Sequence, residues 1–172
     1  LAETILMTQI GYENLLARIT EKEKEYDQVR DHRQVAFELS GDGWHDNPEF
    51  NRMQQLEANL NHTLKTLNDR LDVMKFIDIH DGMRNVQQVE IGSIVKLRRY
   101  DLADDSEIEE IWEIRGFDET NIKLKHLAYN APLAEKIMHL HVADIAEEVQ
   151  IGSRHFDIEV VALFKTRLLA GI

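Results

Sequence analysis

Between Phe50 and Met74 the apolar residues recur as Phe50, Met53, Leu56, Leu60, Leu64, Leu67, Leu71 and Met74, at intervals of 3, 3, 4, 4, 3, 4 and 3. That spacing predicts one long helix whose apolar side is the narrow a/d stripe of a coiled coil. Such a stripe is stable only against a partner of similar length. Upstream, Tyr12, Leu15, Leu16, Ile19, Tyr26, Val29 and Ala36 also follow helical spacing, and Thr8 suits the N-cap. This second stripe is looser, because Lys22 and Arg33 fall within it. Ser40-Gly41-Asp42-Gly43 breaks the pattern, and Asn47-Pro48 supplies a cap and a first-turn proline for the next helix. The expectation is an antiparallel helical hairpin with arms of about 25–30 residues, each roughly 40 Å long. Two helices of a compact bundle would carry the same pattern, but no third helix of similar length is visible to complete one.

Beyond Gly82 the period changes. Ile91, Ile94-Val95 and Leu97, then Ile108, Ile111-Trp112 and Ile114, read as strands; Ile122-Lys123-Leu124-Lys125 and Phe156 to Val160 alternate strictly. Turns are expected at Asp104-Asp105, Gly116 and Gly152-Ser153, and one short helix from Ala131 to Leu140, opened by Pro132. The fold class is α+β: a helical hairpin over 1–82 with an acidic tip around 41–49, then an antiparallel sheet with one short helix over 83–172.

Composition narrows the chemistry. The 172 residues hold no cysteine, which removes disulfides, zinc-thiolate sites and thiol nucleophiles. A formal charge of −12, spread over both parts, argues against direct gripping of DNA. No apolar run approaches the roughly 20 residues of a membrane span. The opening Leu1 to Ile5 has no basic residue and does not read as a signal peptide.

The residues between the helices, Gly41-Asp42-Gly43-Trp44-His45-Asp46-Asn47-Pro48-Glu49-Phe50, concentrate the chemistry. Asp42 and Asp46, supported by Glu49, are carboxylates within reach of a shared divalent cation such as Mg²⁺, and alone they would bind it weakly. Acids at the end of a long arm make sense when the arm delivers them to a metal site completed elsewhere. The same residues also suit an ordinary turn, and acids favour a helix N-terminus. Trp44 is either an exposed contact or folded back on the hairpin. His45 is a candidate base or ligand, or a solvated loop histidine. His139-Leu140-His141 lacks a third ligand nearby, and Arg98-Arg99 is a basic doublet in a strand.

In this order and spacing the chain resembles the Gre family of bacterial transcript cleavage factors (GreA and GreB). Leu6-Met7-Thr8-Gln9-Ile10-Gly11-Tyr12-Glu13-Asn14-Leu15 looks like the family's start. Gly41-Asp42 and Asp46-Asn47-Pro48-Glu49-Phe50 are similar to the two ends of its tip pattern, Gly-Asp-Leu-x-Glu-Asn-Ala-Glu-Tyr. Val89 to Val95 looks like the strand that opens its second domain, and Tyr129-Asn130-Ala131-Pro132-Leu133-Ala134 resembles its Asn-Ser-Pro-Ile-Ala segment. The resemblance implies a coiled coil followed by an FKBP-like domain, and a cytoplasmic protein that is no enzyme by itself. It implies that Asn130, Ala131, Pro132 and Leu133 help dock on the β′ coiled coil of RNA polymerase. The hairpin would enter the secondary channel, where Asp42 and Asp46 would share the polymerase's Mg²⁺ and assist cleavage of backtracked RNA at its 3′ end. Glu49 would support them, and Trp44, His45, Asn47 and Phe50 would make tip contacts.

Three residues separate Asp42 from Asp46 where the family has two, and Asp46 stands where it has Glu. Phe164 to Ile172 runs past the usual family end. A second reading therefore keeps polymerase binding and drops cleavage. A third, remote reading is a prolyl isomerase or chaperone, which needs an aromatic-lined pocket. Tyr100, Trp112, Phe117, Tyr129, Phe156 and Phe164 are few and scattered for that.

Overall fold

The computed structural model describes residues 3–172, so Leu1 and Ala2 of the opening stretch lie outside the described residues. The chain makes two compact units: one is built on Tyr12–Met74, and the other holds Leu6–Gly11 with Lys75–Ile172. The division falls at Met74/Lys75, ahead of Gly82. Among the described residues no helix is long and apolar enough to cross a membrane.

A short strand, β1 (Ile5–Met7), precedes the 32-residue helix α1 (Gln9–Ser40). A 3-10 turn (Gly41–Asp46) leads into the 26-residue helix α2 (Pro48–Val73). The two helices form the expected antiparallel hairpin. Leu15, Ile19 and Ala36 of α1 are buried, as are Phe50, Met53 and Leu67 of α2. The stripes depart from expectation at two places: Leu16 of α1 is exposed, and on α2 Leu56 is exposed while Glu57 takes the inward position. The reason for the second lies across the seam. Arg33 occupies an inward position on α1, and its Nε sits 3.0 Å from Glu57 Oε2, while Tyr26 Oη donates to Glu57 Oε1 at 3.4 Å. The helix rotates so that this pair meets, and the leucine gives way. Lys22, the other interruption, turns to Glu25 on its own helix at 2.8 Å.

The second unit is a five-stranded sheet. After β2 (Met74–Phe76), which pairs with β1, come β3 (Ile94–Asp101), β4 (Glu107–Arg115), β5 (His126–Ala128), α3 (Pro132–Ile137), β6 (Ile145–Ile151), β7 (Arg154–Phe164) and α4 (Arg167–Ala170). The order is β5-β4-β3-β7-β6. Neighbours are antiparallel except β5, which runs parallel to β4. One face carries the core: Val95, Leu97, Ile114, Val149, Ile158 and Val160, covered by Leu133, Ala134 and Ile137 of α3. On the other, Arg98 lies opposite Glu109 on one side and Glu159 on the other, with Lys96 reaching Glu109 at 2.6 Å. The basic doublet is thus absorbed by cross-strand pairs, since Arg99 pairs with Glu110 at 2.9 Å and covers the Phe156 ring.

Ile122-Lys123-Leu124-Lys125, which alternates like a strand, is instead a 3-10 turn with Lys125 left-handed at φ 58°. Asn121 caps it by accepting from Leu124 N, and Ile122 and Leu124 are exposed. Alternation there has no layer to bury against. The expected helix is shorter, ending at Ile137, and β6 carries no readable alternation because its inward residues, Ala146, Val149 and Ile151, are unevenly spaced by an irregularity between Ala146 and Val149. The terminal segment from Phe164 is stitched in: Gly82 N donates to Lys165 O, Arg167 N to Asp81 Oδ1, and the Arg167 guanidinium to Glu113.

Two buried carboxylates organise this unit. Glu119 accepts from Thr8 N at 2.7 Å and from Thr8 Oγ1 at 2.8 Å, while Thr8 Oγ1 caps α1 by accepting from Gly11 N. Two glycines make room for it: a Cβ at Gly11 or at Gly116 would collide with Glu119 Oε1. Main-chain bonds from Phe117 N to Leu6 O and from Ile77 N to Met7 O fasten the same segment. Glu113, 1% exposed, sits among Arg84, Arg115 and Arg167. Burial pushes its pKa up, but Arg115, Arg84 and Arg167 outweigh burial and hold it below the ordinary glutamate range. Burial, followed by the Arg115 charge, pushes neighbouring His126 down.

Glu119→Ala is expected to lower stability by about 1–3 kcal/mol, the cost of orphaning a buried donor. Gly11→Ala displaces the same carboxylate and costs a similar amount alone, yet is neutral or stabilising in the Glu119→Ala background. Urea unfolding of the four proteins checks this, and additive losses would refute the cradle. A second expectation concerns acid. A carboxylate with a lowered folded pKa stabilises above its unfolded value and loses that contribution as the pH falls through the folded one. Unfolding midpoints should therefore drop as the pH falls below about 4.5. Glu113→Gln should flatten that slope and, at neutral pH, cost about 3–5 kcal/mol by stranding buried arginines.

Candidate functional site

The turn between the helices is built by capping. Asn47 Oδ1 accepts from Glu49 N at 2.9 Å and Phe50 N at 3.4 Å, and Pro48 takes the first helical position, as expected. The Asn47 amide also reaches back to Ser40 Oγ and to Ala36 O, so one side chain joins the end of α1 to the start of α2. Gly41 begins the turn at φ 51°.

Asp42 and Asp46 are exposed, and among the described residues neither forms an ion pair. Glu49 is also exposed, but Arg52 holds it at 3.1 Å. The Arg52 hydrogen bond and charge keep the Glu49 carboxyl below the usual range. The turn also sets directions. In a 3-10 helix residues three apart eclipse, with a rise of about 2 Å per residue. Asp42 therefore shares a face with His45, while Asp46 is rotated by about a third of a revolution and lies roughly 8 Å further along. Among the described residues no group of three or more acids and histidines could hold a metal ion.

Trp44 folds back rather than out. Its ring lies 5.0 Å from Phe50, edge-on, and 5.7 Å from Phe37, with Phe37 and Phe50 6.1 Å apart. His45 lies against the Trp44 ring at 3.4 Å and is itself exposed. Phe37 belongs to this cluster, although helical spacing does not single it out. Its one signal in the sequence is an aromatic one turn before the helix end, facing two more across a short break.

The other expected site residues are in the second unit. Asn130 exchanges hydrogen bonds with Asp118, accepting from Asp118 N at 2.9 Å and donating to Oδ1 at 3.0 Å. Ala131 occupies the cap position of α3, Pro132 is exposed at its first turn, and Leu133 is buried in the core. Of this segment, then, Pro132 is the side chain most open to a partner. His141 pairs with Asp144 at 3.3 Å. A cavity of about 220 Å³ lined by Asp78, His80, Arg84 and Glu90 among others has no aromatic wall, and neither does a second bordered by Lys96, Glu109 and Lys125.

No protein-family model matches the chain, and no curated protein matches it. Solved structures similar to it include GreA factor homolog 1 of Thermus thermophilus, 18% identical, with 94% of this chain and 99% of that one covered and a TM-score of 0.43. Another is Gfh1 of Thermus aquaticus, 18% identical, with 94% of this chain and 99% of that one covered and a TM-score of 0.42. A third is a prokaryotic transcription elongation factor GreA/GreB from Nitrosomonas europaea, 15% identical, covering 94% and 98%, with a TM-score of 0.36.

The aromatic cluster makes the turn one packed object. Phe50→Ala, which truncates a buried anchor, is expected to cost about 3–5 kcal/mol and to expose Trp44. In a Trp112→Phe background, Trp44 emission should shift to longer wavelength; unchanged emission would mean that the cluster does not hold the turn.

Proposed function

We propose that this chain is a Gre-type factor that binds bacterial RNA polymerase through its secondary channel and uses its tip carboxylates to assist cleavage of backtracked RNA. The observation that carries this reading is the pair Asp42 and Asp46. Both are exposed and free of ion pairs among the described residues, on the turn that ends two helices of 32 and 26 residues. Glu49, Glu57, Glu109 and Glu113, by contrast, are each held by an arginine. The tip motif and the opening motif support the reading by their resemblance to the Gre family.

On this reading the protein is not an enzyme. The partner is the polymerase, with the β′ coiled coil as the docking point for the segment around Pro132, and the place of action is the bacterial cytoplasm. Asp42 and Asp46 would be added ligands to a polymerase-held Mg²⁺, which when bound supplies activation of water at the RNA phosphate. The chain's own contribution is positional: the Asn47 cap and the Phe37-Trp44-Phe50 cluster hold the carboxylates in place.

A second reading, binding without cleavage, is favoured by the divergence of Asp42 and Asp46 around the 3-10 turn. Misplacement of about 1 Å can cost roughly 100-fold in rate. Both readings are tested with stalled elongation complexes and Mg²⁺. Cleavage assistance is expected to release short 3′ RNA products, and Asp42→Ala with Asp46→Ala should lower the release at least about 100-fold while leaving polymerase binding intact. Binding with no products, together with altered initiation or pausing, would replace cleavage by channel occupancy. No binding would refute both.

A further inference from the structure

Beside its acids, the turn carries a braced ladder of rings. Phe50, 7% exposed, is fixed in the seam, and Trp44 stands edge-on to it at 5.0 Å. His45 lies on Trp44 with ring centroids 3.4 Å apart and planes at 33°. The main chain of His45 is held too, since Asn51 Nδ2 donates to its carbonyl at 3.3 Å. The imidazole is therefore the outermost, exposed ring of a stack anchored in the helices. A ring already ordered loses little further freedom when a flat group lies on it.

The surroundings select the flat group. Asp42 and Asp46 flank the ring in sequence, and Asp42 shares its face of the turn. Fixed negative charge discourages a bare phosphate but not a neutral heterocycle. Stacking of an unpaired base on an exposed ring tolerates any base and is worth on the order of tenfold or more in binding. It needs no charge complementarity, which suits an acidic tip in a protein of net charge −12.

We infer that His45, backed by Trp44, is a stacking platform for an unpaired nucleobase, the 3′-terminal base of the RNA presented to the tip. The inference rests on the polymerase reading above and accounts for the longer Gly43-Trp44-His45 insert: its rings grip the base, while the acids serve the phosphate. Imidazole acts here through its ring face, so a phenyl ring replaces it.

The test uses elongation complexes with 6-thioguanosine or 4-thiouridine at the RNA 3′ end, the full chain, and His45→Phe and His45→Ala. Complexes are irradiated, and crosslinks are counted per protein bound to polymerase, with binding measured separately by co-migration. Wild type and His45→Phe are expected to crosslink at the tip, His45→Ala about tenfold less, and the purine more than the pyrimidine. Bound protein that gives no tip crosslink, or His45→Ala that crosslinks like wild type, overturns the platform and leaves the polymerase reading standing. Equal loss in both variants also overturns it, because the nitrogens rather than the ring face would then be acting. Absence of polymerase binding overturns the platform together with the reading it rests on.

Discussion

Everything at the tip depends on the mutual burial of two helical stripes. A helix of 26 residues with a single apolar seam draws most of its stability from packing that seam, and a break of a few residues brings an antiparallel partner to it. Once paired, the helices determine where the intervening turn stands. Phe37 and Phe50, at facing ends of the seam, then receive Trp44, and Asn47 bonds across to Ser40 and Ala36. A turn that would otherwise be a loose, acidic loop becomes an ordered object with its carboxylates outward.

The polar groups follow an unequal division. Some acids are held by arginines, and two buried ones fasten the second unit: Glu119 holds Thr8 at the start of α1, and Glu113 gathers three arginines from β4, the loop before β3 and the terminal helix. Breaking such a pair is costlier than its formation is stabilising, because the remaining charge stays buried. The acids of the turn stand apart from these by their place, exposed between the ends of two long helices. The negative charge of the chain is thus partly solvated surface and partly internal fastening, and on the proposed reading the share at the turn is a reagent.

Much of the fold was legible in the residues. The a/d spacing of α2, the Asn47-Pro48 start and the turn at Gly152-Ser153, where Gly152 has φ 63°, need only local physics to be read. Patterns without a burial partner misled. Ile122 and Leu124 alternate like a strand but meet no layer, and Leu56 fits the heptad but yields to Glu57 because Arg33 lies opposite. The tip was legible as chemistry and not as geometry: residue types announce carboxylates near a turn, but not that the turn winds as a 3-10 helix and spreads them apart.

By itself the sequence determined the two-part grammar, the pairing of long helices and the concentration of acids and aromatics between them, because helical period, capping and turn chemistry are local properties. The tertiary structure decided which way Trp44 faces, that Glu49 is occupied by Arg52, and that Leu133 is buried while Pro132 is exposed. It also decided the partnership of Glu119 with Thr8, 111 positions apart, for which Gly11 and Gly116 leave the space. Those outcomes depend on which distant groups meet, and no window along the chain contains both members of such a pair.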